Sequence, residues 1–371
     1  MRSMMKALVL TEFGRIEVQE RPVPAVHRDQ VLIEVSATGI CGSDVHGFTG
    51  ENGRRSPGQV MGHESAGTVV AVGDGVDPGL VGRPVTFNPV VIPDDQRQAY
   101  AGREQHTPGR YVIGVRPDVS AAFAEYVVVP ARNVVVLPVA LATPHGALIE
   151  PLAVAVHAAR RAGVRPDDAV LVLGGGPIGQ SIVLALKMIG ARRVVVSEIA
   201  PARRALLSRL GAAVLDPQDG AVVDRSAGVL GGPADIVIDA VGIDATLADA
   251  LAGSRVGGVV CLVGMGAPTL TLDAYRVSTE ERTIIGSFTY ADRDFTDAAA
   301  WLGTEPTLAA TLVTREVPFE QAQAAFTGLA AGDDTAGKIL IRPGRSPDPG
   351  GTTKRSRVGH RSEDPLDTSG M

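Results

Sequence analysis

From Ala7 to about residue 138, apolar residues come in short β-branched runs. Ala7-Leu8-Val9-Leu10, Val31-Leu32-Ile33-Glu34-Val35, Gly67-Thr68-Val69-Val70-Ala71-Val72 and Tyr126-Val127-Val128-Val129 are examples, separated by Gly and Pro. Such runs between turn residues predict a β-rich unit. Near residue 150 the period changes. Helical spacing over Leu152 to Ala162 is followed by a strand (Ala169 to Leu173), a helix (Pro177 to Ile189) and a strand (Arg193 to Val196). The alternation continues through Ile236-Val237-Ile238 and Val259-Val260-Cys261-Leu262-Val263 and ends near Phe288. Alternating strands and helices predict an α/β unit with a parallel, doubly wound sheet. An Ala-rich helix (Ala298 to Leu302) and short elements lead to Ile341. Beyond Pro343 the apolar side chains are only Val358, Leu366 and Met371, too few to offset ordering entropy, so 343–371 is expected to be disordered. The residues before Met5 are expected to form an unstructured leader.

Composition narrows the function classes. The 371 residues are 45% apolar and carry 35 basic against 41 acidic side chains, a net charge of −6, which fits a globular chain of about two domains. With no basic block before the tail, neither nucleic acid nor an anionic membrane is expected as the main partner. No apolar run of spanning length and no secretory segment occur, so a cytoplasmic protein is expected. Cys41 and Cys261 are the only cysteines, which excludes a disulfide framework and agrees with a reducing compartment. Only four of the basic residues are lysine, read as codon bias.

Gly174-Gly175-Gly176-Pro177-Ile178-Gly179 satisfies G-x-G-x-x-G between an apolar strand and an amphipathic helix. There the glycines let the backbone approach a pyrophosphate at the helix N-terminus. Glu198, closing the next strand, is placed to accept the ribose hydroxyls of NAD and to repel the 2′-phosphate of NADP. Arg203 is a second candidate for the adenosine ribose, a solvated helix arginine being the alternative. Cys41-Gly42-Ser43-Asp44-Val45-His46 and Gly62-His63-Glu64 offer a thiolate, an imidazole and a carboxylate, a ligand set that suits zinc. A buried cysteine and a turn histidine would explain each residue singly. Glu150, in Ile149-Glu150-Pro151 where the β-rich part meets the nucleotide part, adds a carboxylate at a junction of the kind that holds ligand pockets.

With Gly39-Ile40-Cys41-Gly42-Ser43-Asp44-Val45-His46, Met61-Gly62-His63-Glu64, Glu150-Pro151-Leu152 through His157 and the glycine motif in view, the chain from about Met5 to Ile341 resembles the zinc-containing medium-chain dehydrogenase/reductases. The nearest branch is that of sorbitol, threonine and 2,3-butanediol dehydrogenases. The resemblance implies a GroES-like catalytic domain over 5–152, completed by 290–342, beside a Rossmann domain over 153–289. It implies one catalytic zinc on Cys41 and His63, with Glu64 and Glu150 as direct or water-linked ligands. It also puts Val241, Val263, Gly264 and Ser287 around the nicotinamide. Lys338 is placed near the pyrophosphate, a salt-bridged surface lysine being the alternative.

The implied reaction is oxidation of a secondary alcohol (a polyol, diol or aminocyclitol-like molecule) to a ketone with NAD. Zinc acidifies the alcohol. Ser43 takes the hydroxyl proton and passes it by way of the nicotinamide ribose to His46, while Glu64 supports the metal. Relatives carry a second, structural zinc on four cysteines; here those positions fall on Pro93, Gln96, Ala99 and Thr107 within Asn88 to Arg110. No structural zinc is therefore expected, and this lobe is held by packing or a partner subunit, or is mobile. Phe48, Tyr111 and Phe123 are expected along the substrate pocket, His27, His106 and His145 in solvent, His157 packed or capping on its helix, and Cys261 buried. A homo-oligomer, dimer or tetramer, is expected. The alternatives are a zinc-free NADPH-dependent reductase of activated alkenes from the same superfamily, and a non-catalytic NAD-binding protein.

Overall fold

A computed structural model describes residues 3–51, 53–119, 121–333 and 335–344. Most of the tail expected to be disordered, 345–371, lies outside the described residues.

The first run, Met4–Glu12, turns at Phe13-Gly14 and pairs antiparallel with Arg15–Pro22. Met4 already pairs with Pro22 and the Ser3 carbonyl accepts from Val23, so pairing begins earlier than expected. Main-chain hydrogen bonds extend a strand where side-chain polarity gives no signal. The remaining β-branched runs build a seven-stranded sheet in the order Val313–Pro318, Lys338–Arg342, Gln30–Gly39, Glu64–Val72, Pro84–Phe87, Val134–Val136, with Tyr126–Pro130 also against Gln30–Gly39. Val31, Ile33, Val69, Val85, Val127 and Val129 are fully buried in its core. Two strands of this sheet come from the far end of the chain. They bring Lys338 beside Gly39, whose partners are Glu64 on one side and Leu340 on the other.

The second sheet is parallel and six-stranded. Its order is Ala213–Leu215, Arg193–Ser197, Ala169–Leu173, Ala234–Asp239, Ser254–Leu262, Thr283–Gly286. In chain order that is 3-2-1-4-5-6, so the strand direction of travel reverses between Ala169–Leu173 and Ala234–Asp239, the crevice where such sheets bind dinucleotides. Ala169–Leu173 is buried at every position, as a central parallel strand covered on both faces must be. Cys261 is buried in Ser254–Leu262.

Three helices position the candidate site. Helix α1 (Gly42–Thr49) leaves the end of Gln30–Gly39, and α2 (Ile149–Arg161) joins the two sheets. Helix α3 (Pro177–Ile189) follows the glycine turn, with proline in its first turn, where no N–H is needed, and Gly190 left-handed at its end. The face of α2 bearing Ala155, Val156, Ala158 and Ala159 packs into the core shared with α3 and the helix Asp292–Thr304.

Candidate active site

Pairing of Gly39 with Glu64 sets the end of one strand beside the start of the next. Cys41 then lies two residues past the first strand, and His63 one residue before the second. Their ligand atoms and a Glu64 oxygen all lie within 4.8 Å of one another, the one such metal-capable group among the described residues. A side chain at Gly39 would run into the Glu64 carboxylate, so the close approach requires glycine there.

Asp44, which sequence reading passed over, is fully buried and organises this corner. Its Oδ2 accepts from the Cys41 backbone N–H at 3.2 Å, its Oδ1 accepts from Arg55 at 3.2 Å, and His63 Nδ1 lies 3.5 Å from the same oxygen. Burial works against charge on both partners. Even so, the neighbouring His63 and Arg55 hold the Asp44 carboxyl below its usual range, and Asp44 with Cys41 holds a proton on His63 well above the usual imidazole range. His63 Nδ1 is buried with no hydrogen-bond partner. An imidazole so placed beside a thiol and a carboxylate fits a borderline cation such as zinc, which would have to displace that proton.

Lys338 departs from expectation. Its amine, expected near the pyrophosphate or in a surface salt bridge, is buried, donating to Ile40 O at 3.1 Å and to Glu64 Oε1 at 2.7 Å, with Oε2 at 2.6 Å. Burial opposes its charge; Glu64, then Cys41 and Glu150, overcome this and raise its pKa. The segment just before it does reach the nucleotide half, for Ala336 O accepts from Gln180 and Thr335 O from Arg203. A one-residue step along this strand turns the side chain to the opposite face.

Glu150 lies outside the 4.8 Å group. Its Oε1 accepts from the buried Tyr290 hydroxyl at 3.0 Å. Burial first, and then Glu64, push its carboxyl up to about 7 against the pull of His63, Tyr290 and Lys338. Thus Glu150, in the first turn of α2, lies close enough to His63, Glu64 and Lys338 to feel their charges. Tyr290 carried no sequence signal, because its role depends on a contact 140 residues away.

Ser43 and His46 both lie on α1, one turn apart. His46 is more than half exposed, with Nδ1 2.9 Å from Glu51. Phe48 and Phe123, expected along the substrate pocket, are instead core residues against Phe326, tilted at 5.4 Å and edge-on at 5.7 Å. Tyr111 is half-buried with Arg116 over its ring. The apolar collapse of the catalytic half claims these aromatics, whose sequence positions do not distinguish pocket from core.

At the glycine turn each residue has a separate duty. Gly174 is left-handed (φ 93°), and a side chain on Gly179 would strike its carbonyl. Around Gly176, by contrast, the only atom near is a guanidinium nitrogen of Arg203, 3.8 Å from where a Cβ would be. That is the open backbone a pyrophosphate needs. Pro177 and Ile178 open α3 beside it. Glu198 accepts from the backbone N–H of Gly175 at 2.6 Å and of Ala200 at 2.7 Å, which fixes its carboxylate at the lip of the turn. Across the crevice Asp239 Oδ1 accepts from Val241 N and Gly242 N, both at 2.9 Å, while its carbonyl accepts from Val263 N and Gly264 N. This packs the two expected nicotinamide loops together.

The lobe 88–110 is tied down through polar contacts. Val90–Val91 pairs with Tyr111–Val112, Glu104 accepts from Asp292 N, Asn88 donates to Asp292, and Gln105 meets His157. His157 in turn holds Asp294 at 2.7 Å. Gln96 Oε1 and Thr107 Oγ1 are buried without hydrogen-bond partners.

A 3-2-1-4-5-6 sheet with its glycine turn, set against a strand-built half that gathers thiolate, imidazole and carboxylate, defines a dinucleotide-dependent, metal-using oxidoreductase. Comparison places it further. The profile of the alcohol dehydrogenase GroES-like domain matches residues 27–139, and that of the zinc-binding dehydrogenases matches 177–304. A D-xylulose reductase A of Aspergillus niger is 31% identical over 88% of this chain and 94% of its own. The sorbitol dehydrogenase of Gallus gallus is 32% identical over 91% and 96%. The crystal structure of 2R,3R-butanediol dehydrogenase from Bacillus subtilis superposes with a TM-score of 0.83 at 28% identity, over 92% of this chain and all of that one. The chain belongs to the zinc-containing medium-chain alcohol dehydrogenases and is an NAD-dependent oxidoreductase with zinc as its metal. Among the described residues no helix is long and apolar enough to cross a membrane.

Proposed function

We propose that the protein oxidises a secondary alcohol of the polyol, diol or aminocyclitol class to a ketone with NAD, reversibly. The observation that carries this reading is the convergence of Cys41, His63 and Glu64, in a chain whose relatives are named sorbitol dehydrogenase and D-xylulose reductase. Zinc, when bound, would supply Lewis acidity, and NAD would supply the hydride acceptor. Cys41, His63 and Glu64 hold the metal, with Glu150 ready to exchange with Glu64. Lys338 neutralises Glu64 while that carboxylate stays off the metal. Ser43 receives the hydroxyl proton, and His46, one turn along α1 and open to solvent, releases it. Gly174, Gly176 and Gly179 seat the pyrophosphate, Glu198 selects NAD over NADP, and Val241, Val263, Gly264 and Ser287 line the nicotinamide. The reading also takes the protein as a cytoplasmic homo-oligomer.

The test is metal content by mass spectrometry together with NADH formation from a panel of polyols and diols. One zinc per chain, lost in Cys41→Ala, and chelator-sensitive turnover are expected. Ser43→Ala should lower turnover about 10²–10⁴-fold, the usual contribution of a positioned proton acceptor, with NAD affinity retained. Near-normal turnover in that variant removes Ser43 from the relay. A zinc-free protein that binds NAD and forms no NADH from the panel would return the reading to the alkene-reductase or the non-catalytic alternative.

A further inference from the structure

Between the lobe 88–110 and the nicotinamide loops lies an open cavity of about 300 Å³. One wall is Val263, Gly264 and Met265, the expected nicotinamide side. The other carries Arg110, Arg161, His106, His157 and Gln105, Ser287 stands with the nicotinamide side, and no carboxylate lines the cavity. Such a bias is unusual here, because most arginines with described side chains pair with an acid. Arg160, next to Arg161, takes both Asp294 and Asp297 at 2.7 and 2.6 Å, and Asp294 is shared with His157 Nδ1. Arg161 donates only to the Gly286 carbonyl and Arg110 only to the Thr107 carbonyl. Two permanent cations therefore face the cavity without an ion-pair partner among the described residues. Independently, the Ser287 hydroxyl and the Gln105 side-chain oxygen are buried, 8% and 7% exposed, and have no hydrogen-bond partner. Unpaired buried polar groups are costly unless a ligand satisfies them. The Ser287 hydroxyl can donate to an oxyanion, whereas the Gln105 amide could do so only by giving up its Nε2 contact with His157.

The cavity is also in register with the metal cluster. Glu150, His157 and Arg161 are spaced i, i+7 and i+11 on α2, hence on one face. At 1.5 Å per residue, His157 stands about 10 Å beyond Glu150 and Arg161 about 16 Å beyond it. The segment 286–290 runs alongside, with Gly286 bonded to Arg161 and Tyr290 to Glu150. Resting on the dehydrogenase reading above, we propose that this cavity is an anion subsite. The substrate then carries, besides its secondary alcohol, a terminal oxyanion, carboxylate or phosphate. With C–C bonds of about 1.5 Å, an extended chain of six carbons covers about 6 Å, less than half of the axial distance from Glu150 to Arg161, and the Arg161 side chain, leaning back toward the N-terminus of α2 as helical side chains do, has to cover the rest. Arg110, Gln105 and His106 come from the lobe whose family-like zinc positions hold no cysteine, so that lobe contributes here to specificity.

The test uses the zinc-loaded protein with NAD and three substrate sets: neutral xylitol and D-sorbitol, D-gluconate, and D-sorbitol 6-phosphate. Higher kcat/KM for gluconate or for the phosphate ester than for the neutral polyols is expected, and the preferred one identifies the oxyanion. In Arg110→Gln and Arg161→Gln that preference should fall about 10–100-fold, as expected for loss of a hydrogen bond to a charged group, mainly through KM. Arg161→Lys should restore part of it. Neutral polyols used as well as or better than both acids would overturn the subsite while leaving the dehydrogenase reading intact. If no substrate yields NADH, that reading fails, and calorimetry with gluconate and inorganic phosphate decides the subsite. Binding weakened in Arg161→Gln supports it, and no binding to the parent protein overturns it.

Discussion

Replacing Lys338 by Met isolates the buried carboxylate of Glu64. The lysine amine lies 2.6–2.7 Å from both Glu64 oxygens, and the two side chains are 6% and 1% exposed, so water cannot take its place. Removing one partner of such a pair costs about 3–5 kcal/mol, because the remaining charge is left desolvated. For a domain of 150–250 residues each kcal/mol moves the midpoint by about 2–4 °C, so metal-free Lys338→Met should melt about 6–20 °C lower. Glu64→Met with Lys338→Met should recover most of that, since an apolar replacement of the whole pair is nearly neutral. The pKa of Lys338 is raised, so its contribution is complete below the usual lysine value and fades only as pH rises through the folded-state value. The assay is therefore thermal unfolding by circular dichroism at neutral pH, on protein stripped of metal and NAD. A drop under about 2 °C, or a double variant that melts as low as the sum of the singles, would refute the argument that this pair is desolvated and coupled.

Other consequences are open to direct measurement. Gly39→Ala drives a methyl group into the Glu64 carboxylate and should lower zinc stoichiometry, whereas Gly42→Ala, with nothing within 4 Å, should keep it; mass spectrometry of the two decides. Cys261, whose thiol burial pushes up to about 12, should stay unreactive to a thiol reagent at mildly alkaline pH while Cys41 reacts, and zinc should protect Cys41. Asp294 is pushed up by burial but held below its usual range by His157 and Arg160. Its contribution is thus present above the unfolded value of about 3.9 and lost as pH falls through the folded one. The stability gap between the parent protein and Asp294→Asn should accordingly close in acid, and a pH-independent gap would remove the ion-pair argument.

Local pattern carried much of this protein. Valine runs broken by glycine marked the strands, because a half-buried pleated surface favours β-branched side chains over short intervals. The strand Ala169–Leu173 and helix Pro177–Ile189 appear with the bounds that period and proline placement predict. The glycine turn was legible for the same reason: its duties are backbone duties, performed within six consecutive residues. Cys41, His63 and Glu64 were readable as chemistry, since each residue type states what it can ligate.

What tertiary structure alone decided involves partners far apart in the chain. Lys338 reaches Glu64 because a C-terminal strand returns to pair with Gln30–Gly39, and the strand's alternation, not its composition, turns the amine to that face. Tyr290 holds Glu150, and His157 binds Asp294, through helix packing that no local window contains. Phe48 and Phe123 went to the core rather than the pocket, because burial of large apolar area is non-directional and is settled by what else arrives. The unpaired arginines of the cavity belong to the same class. Whether a cation has a partner is a property of the folded surroundings, and sequence supplies only the charge.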